Sequence, residues 1–175
     1  MVRIIAGAIK GRRLQAPEDQ SVRPTADRAR EALFSILQRW PQGSFLDLFA
    51  GTGAVGLEAW SRGCAPVTCV ERAPAALACL KANVRGTQVQ ILAKDVLRLG
   101  RDAFAGVDLV FADPPYEATA ELWPALAPRI LDWMAPQGLL VWEAGHPAVL
   151  APVPGLEPLE SRRYGAAVFH LLRRA

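Results

Sequence analysis

The sequence predicts an α/β fold in which a mostly parallel sheet is covered by helices on both faces. Two observations carry this. Five short apolar runs, at residues 45–50, 67–71, 89–93, 107–112 and 139–143, alternate with longer segments of helical period. Several of these runs are apolar almost without interruption, as strands buried on both sides are, and strands separated by helices make βαβ units. A third observation closes the sheet: residues 156–162 and 166–172 are extended runs around a turn containing Tyr164 and Gly165, the signature of an antiparallel hairpin.

Each element has its own local reason. Residues 1–24 form a basic arm or hairpin ahead of the domain proper, which spans 25–175. Residues 26–40 read as an amphipathic helix, with Ala29, Leu33, Ile36, Leu37 and Trp40 on one face, Thr25 as N-cap and Asp27 at the positive end of the dipole. Further helices are expected at 54–62, 74–84 and 119–134, the last interrupted by Pro124 and Pro128. A chain of 175 residues, 51% hydrophobic and 21% charged, has room for one core with a short extension and is not a disordered polyampholyte.

The net charge of +3 is unevenly spread. Residues 1–30 hold seven basic and three acidic residues, a balance of +4, whereas the remaining 145 sum to −1. A basic N-terminal stretch suits a polyanion, nucleic acid first, although a solvated surface segment has the same composition. Cys64, Cys69 and Cys79 lack C-x-x-C spacing and lie in apolar stretches. They read as buried free thiols of a reducing compartment, without a zinc site. Neither a signal-type apolar region nor a membrane-length run is present, so a cytoplasmic location is expected.

The first strand runs into Gly51-Thr52-Gly53-Ala54-Val55-Gly56, which matches G-x-G-x-x-G, and Glu71 follows Gly51 by 20 residues. That spacing fits a dinucleotide fingerprint, so a nicotinamide-dinucleotide protein is one reading. Two features favour a different adenosine ligand. Asp47 sits inside the first strand, where a carboxylate between Leu46 and Leu48 is costly unless paired and could meet a cationic amino-acid end. Asp95 ends the third strand, although by itself it reads more simply as an N-cap for 96–104. Three acids along one sheet edge suit S-adenosylmethionine, with its ammonium near Asp47, ribose on Glu71 and adenine near Asp95.

Residues Asp113-Pro114-Pro115-Tyr116 follow the fourth strand. The prolines fix φ and push the preceding residue towards extended backbone, so the tetrapeptide is a stiff loop. An exocyclic amine on a nucleobase is a poor nucleophile because its lone pair is delocalised into the ring. The Asp113 carboxylate and the Pro114 carbonyl offer only acceptors, which match the donors of an NH2 group and would free that lone pair. Tyr116 supplies a face for an extruded base. The reaction would be in-line methyl displacement, with no covalent intermediate and no metal.

With these motifs the chain resembles the class I amino methyltransferases. Within them it resembles the RsmD family of small-subunit rRNA guanine N2-methyltransferases. The narrower resemblance rests on Arg3-Ile4-Ile5-Ala6-Gly7, Lys10-Gly11-Arg12-Arg13-Leu14 and Arg23-Pro24-Thr25-Ala26-Asp27-Arg28-Ala29-Arg30-Glu31-Ala32-Leu33-Phe34. It implies a Rossmann-like fold with seven strands in the order 3-2-1-4-5-7-6 and S-adenosylmethionine as cofactor. The implied substrate is one guanine of 16S rRNA in an assembling small subunit, acted on by a monomer. Implied cofactor residues are Asp47, Gly51, Gly53, Glu71, Arg72, Asp95 and Val96, and implied catalytic residues are Asp113, Pro114 and Tyr116. Arg12, Arg13, Arg23 and Arg28 are the expected RNA contacts. Adenine-N6 methylation of DNA and non-enzymatic dinucleotide binding are the alternatives.

Overall fold

Nearly uninterrupted apolar runs form the central strands, segments of helical period lie between them, and the elements follow. The computed structural model describes residues 2–17 and 27–175. They form α1 (Asp27–Leu37), β1 (Phe45–Asp47), α2 (Ala54–Ser61), β2 (Val67–Glu71), α3 (Pro74–Asn83) and β3 (Gln90–Ala93). Next come β4 (Val107–Ala112), α4 (Thr119–Trp133), β5 (Met134–Gly145), β6 (Leu156–Tyr164) and β7 (Ala167–Arg174). The strands make one sheet in the order β3-β2-β1-β4-β5-β7-β6. Pairing is parallel from β3 through β5 and antiparallel at β5–β7 and β7–β6.

Two apolar layers enclose the sheet. On one face Leu33, Phe34 and Ile36 of α1, Leu57 of α2 and Leu80 of α3 pack on Phe45, Leu109, Phe111, Val141 and Phe169. On the other, Trp123, Leu126, Ile130 and Trp133 of α4 cover Leu46, Val110, Leu140 and Trp142. Among the described residues no helix is long and apolar enough to cross a membrane.

Several boundaries differ from expectation for identifiable reasons. β1 stops at Asp47 because the chain peels away into the glycine loop, yet Leu48 remains fully buried and its amide still donates to the Phe111 carbonyl, so the apolar run outlasts the strand. Helix α4 is continuous through Pro124 and Pro128. Pro124 is exposed and Pro128 half-buried, so carbonyls deprived of a donor can turn to water while the buried tryptophan face holds the helix. α1 ends at Leu37, and the chain continues to Trp40 through tighter turns in which the Arg39 and Trp40 amides donate three residues back. The expected cap Thr25 lies outside the described residues. Cys64 and Cys69 are buried, but Cys79 is only half-buried, and all three are free thiols.

Residues 2–17 are folded onto this frame. An antiparallel bridge joins Arg3 to Arg13, and Ile4 and Leu14 enter the core beside α1. Glu58 of α2, fully buried, accepts the amides of Ile5 at 2.7 Å and Ala6 at 2.9 Å and also pairs with Arg62.

Candidate active site

Ligands of open α/β sheets bind outside the carboxyl ends of the strands. Here that edge carries a cleft of about 660 Å³, and its lining draws on the ends of β1, β2 and β4, the turn after β3 and the start of α4. Asp47, Gly51, Glu71, Arg72, Asp95, Val96, Asp113, Pro114 and Tyr116 all border it. Gly53 does not; it is the N-cap of α2, in left-handed backbone at φ 84°.

Asp47 is 1% exposed. Its Oδ2 accepts the Gly56 amide at 3.0 Å, whereas Oδ1 is buried without a hydrogen-bond partner. Burial drives its pKa from the usual 3.8 up to about 7. The Gly56 amide opposes that rise and the Glu71 charge adds to it. The Phe49 amide gives a smaller opposing attraction from outside hydrogen-bond geometry. Gly56 is needed for this contact, since a Cβ there would lie 2.3 Å from Cys69 Sγ and 3.5 Å from Asp47 Oδ2. The third glycine of the motif thus lets α2 rest directly on the sheet.

Glu71 organises the glycine loop from β2. Its Oε2 accepts the Gly51 amide at 2.7 Å, and its Oε1 accepts those of Arg72 and Ala73, each at 2.7 Å. A carboxylate has about four lone-pair sites, so capacity for a further donor is left. Asp95 caps a single 3-10 turn, Val96–Arg98, through Leu97 at 3.0 Å. The cap reading is therefore correct, although the helical segment is far shorter than 96–104. Its Oδ2 also accepts from Arg72 Nη1 at 2.7 Å, and the Leu97 amide, followed by Arg72, holds its pKa below the usual carboxylate range. Val96, buried, gives the cleft an apolar wall.

The loop after β4 leads from half-buried Asp113 through buried Pro114 into a 3-10 turn, Tyr116–Ala118, that runs directly into α4. The Tyr116 hydroxyl donates to Glu143 Oε1 at 2.9 Å. Glu143, 4% exposed at the end of β5, was missed by sequence reasoning. Its signal was present, because it is a carboxylate within an apolar strand just as Asp47 is. Lys94, Glu117 and Glu121 also border the cleft without a motif to mark them. Among the described residues, no group of three His, Cys, Asp or Glu side chains could hold a metal ion.

The expected RNA contacts are not alike. Arg13 and Arg28 are exposed, while Arg12 turns back to donate to the Arg85 carbonyl at 2.8 Å. Arg23 lies outside the described residues.

The strand order and the place of the cleft define a class I methyltransferase fold. The chain belongs to the family described as Conserved hypothetical protein 95, the RsmD family, which matches residues 2–173. Ribosomal RNA small subunit methyltransferase D of Escherichia coli (strain K12) is 32% identical over 184 residues, covering 98% of this chain and 88% of that protein. The protein of that name from Haemophilus influenzae is 36% identical over 123 residues, 66% of this chain and 64% of its own. A solved hypothetical protein of Thermus thermophilus superposes with a TM-score of 0.83 at 34% identity, covering 98% of each chain.

Proposed function

We propose that this protein transfers a methyl group from S-adenosylmethionine to the exocyclic N2 amine of a guanine in 16S rRNA of an assembling small subunit. The observation that carries the reading is that the Asp113-Pro114-Pro115-Tyr116 loop and the acidic, glycine-lined strand ends border one and the same cleft. An amine-activating loop and a cofactor edge are useful only if their ligands can meet. The names of the Escherichia coli and Haemophilus influenzae relatives support ribosomal RNA as the substrate.

The residues fit the cofactor. A cleft of about 660 Å³ suits a nucleoside-sized ligand. The buried Asp47 Oδ1 without a hydrogen-bond partner offers the amino-acid ammonium a counter-charge. Glu71 would take the ribose hydroxyls on its remaining lone pairs, and Asp95 and Val96 would border the adenine. When bound, S-adenosylmethionine supplies an electrophilic methyl on a sulfonium centre. Asp113 and the Pro114 carbonyl would accept hydrogen bonds from the two N2 hydrogens and bring the lone pair out of conjugation, the Asp113 carboxylate taking the one proton that N2 gives up on methylation, while Tyr116 stacks on the base. Arg13, Arg28, Arg12 and Arg23 would supply phosphate contacts, and a monomer in the cytoplasm suffices for this reaction.

The test is transfer of labelled methyl to unmethylated small-subunit material. Wild type labels a guanine N2, and Asp113→Ala abolishes labelling while retaining S-adenosylhomocysteine binding. Full activity in that variant overturns the acceptor role. Labelling of adenine in duplex DNA instead overturns the substrate.

A further inference from the structure

Asn83, the last residue of α3, is 3% exposed, and its side-chain amide is spent on two segments far away in sequence. Its Oδ1 accepts the Gln15 amide at 2.8 Å, and its Nδ2 donates both to the Gln15 carbonyl at 3.0 Å and to the Thr52 carbonyl at 2.9 Å. Gln15 lies near the end of the described N-terminal residues 2–17. Thr52 lies between Gly51 and Gly53 and lines the cleft.

We infer that Asn83 is a positioning residue that couples cofactor binding in the glycine loop to the docking of the arginine-bearing N-terminal segment. This rests on the proposal that the cleft holds S-adenosylmethionine. The amide is planar, so Oδ1 and Nδ2 turn together: a displacement of the Thr52 carbonyl that rotates the side chain necessarily misaligns the pair of bonds to Gln15. The loop has few other ways to yield. Glu71 holds the Gly51 amide at 2.7 Å, and the Ala50 amide is bonded to the Val70 carbonyl at 3.0 Å. Nothing in α3 itself requires this residue, because none of the three bonds caps or extends its own helix. An alanine or leucine would be the better helix former. Coupling of this kind is reciprocal: whatever the cofactor adds to docking of the segment, the docked segment adds to cofactor affinity. The enzyme would then order the surface that meets RNA when a methyl donor is in place.

Amide hydrogen exchange with and without S-adenosylhomocysteine, on the full chain, tests this. In wild type, saturating ligand slows exchange at Gln15 by about tenfold, a coupling in the usual range. In Asn83→Ala that response vanishes, S-adenosylhomocysteine binds about tenfold more weakly, and KM for the methyl donor rises while kcat stays within about twofold. Asn83→Asp keeps the acceptor for the Gln15 amide but loses the donor to both the Gln15 and the Thr52 carbonyls, so Gln15 amide exchange in the free protein lies between that of wild type and Asn83→Ala and no longer responds to ligand. If ligand binds wild type and Gln15 exchange does not change, the coupling is refuted, whatever the variants do. If S-adenosylhomocysteine does not bind wild type at all, the cofactor reading itself fails, and the two failures are told apart by the binding measurement.

Discussion

The Tyr116 hydroxyl donates to Glu143 Oε1 at 2.9 Å, tying the loop after β4 to the end of β5. A loop that must present one face of a ring to a base gains from being held at both ends. Its prolines hold the start, and this bond holds the tip of the tyrosine. The ring also rests on Gly145, where a Cβ would approach Tyr116 Cδ2 to 2.7 Å and Cγ to 3.0 Å. Tyr116→Phe keeps the ring and loses the tether. The expected result is a fall in kcat of about tenfold, the equivalent of one ordinary hydrogen bond, with cofactor affinity unchanged. Gly145→Ala pushes on the root of the ring and should lower kcat by more than Tyr116→Phe does. Single-turnover methylation checks both.

Asp47 makes stability and binding depend on pH in opposite directions. Its folded-state pKa of about 7 lies above the ordinary 3.8, so between those values the folded protein keeps a proton that the unfolded chain has released. The contribution to stability is full below about pH 4, declines as pH rises through the window and is gone above about 7. Asp47→Asn removes this dependence, and at pH 8 the ligand-free variant should be more stable than wild type, by an amount of order a few kcal/mol. An ammonium ligand needs the ionised form. Wild-type affinity for S-adenosylhomocysteine should therefore rise from pH 6 to 8, and the variant should bind weakly at both. Denaturant titrations and calorimetry at the two pH values decide it.

What the sequence showed of this site depended on whether a residue's reason was local. The glycine loop and the Asp113 loop are legible because backbone stiffness and close approach are properties of neighbouring residues. Alternation of strands and helices and the terminal hairpin showed a mostly parallel sheet with an antiparallel close, and the strand order followed from the family resemblance. Asn83 and Glu58 were not legible, since their partners lie 68 and 53 positions away and neither residue type announces such a contact. Glu143 lies between these cases: its place in an apolar strand marks it as buried, but not as the partner of Tyr116. Asp95 shows the converse, a residue with both a local reason as a cap and a position on the cleft.

Glu58 should govern whether the N-terminal segment stays folded. It is fully buried, accepts the Ile5 and Ala6 amides, pairs with Arg62 at 2.7 Å and lies 3.9 Å from the buried Arg30. Glu58→Ala takes the acceptor from two amides, the counter-charge from Arg62 and a nearby negative charge from Arg30 at once. Breaking a buried pair from one side costs about 3–5 kcal/mol. Glu58→Gln, which keeps the shape and one acceptor, should cost less. Denaturant unfolding measures both, and limited proteolysis should show cleavage near residues 5–8 in the alanine variant before the sheet is attacked.

Arg12 and Arg13, adjacent in sequence, should behave differently towards RNA. The Arg12 guanidinium is already committed to the Arg85 carbonyl, whereas Arg13, bridged through its backbone to Arg3, is exposed. A phosphate contact from Arg13 costs no internal bond. Each such contact releases counterions, so affinity for rRNA should fall linearly with the logarithm of salt concentration, with a slope of about −0.7 to −0.9 per phosphate neutralised. Arg13→Ala should flatten that slope by nearly one contact and weaken binding at low salt while leaving S-adenosylhomocysteine affinity as it was. Arg12→Ala should flatten the slope less and instead loosen the segment where it meets the end of α3, which exchange at Gln15 would report. Equal salt slopes in wild type and Arg13→Ala would return Arg13 to the role of a solvated surface charge.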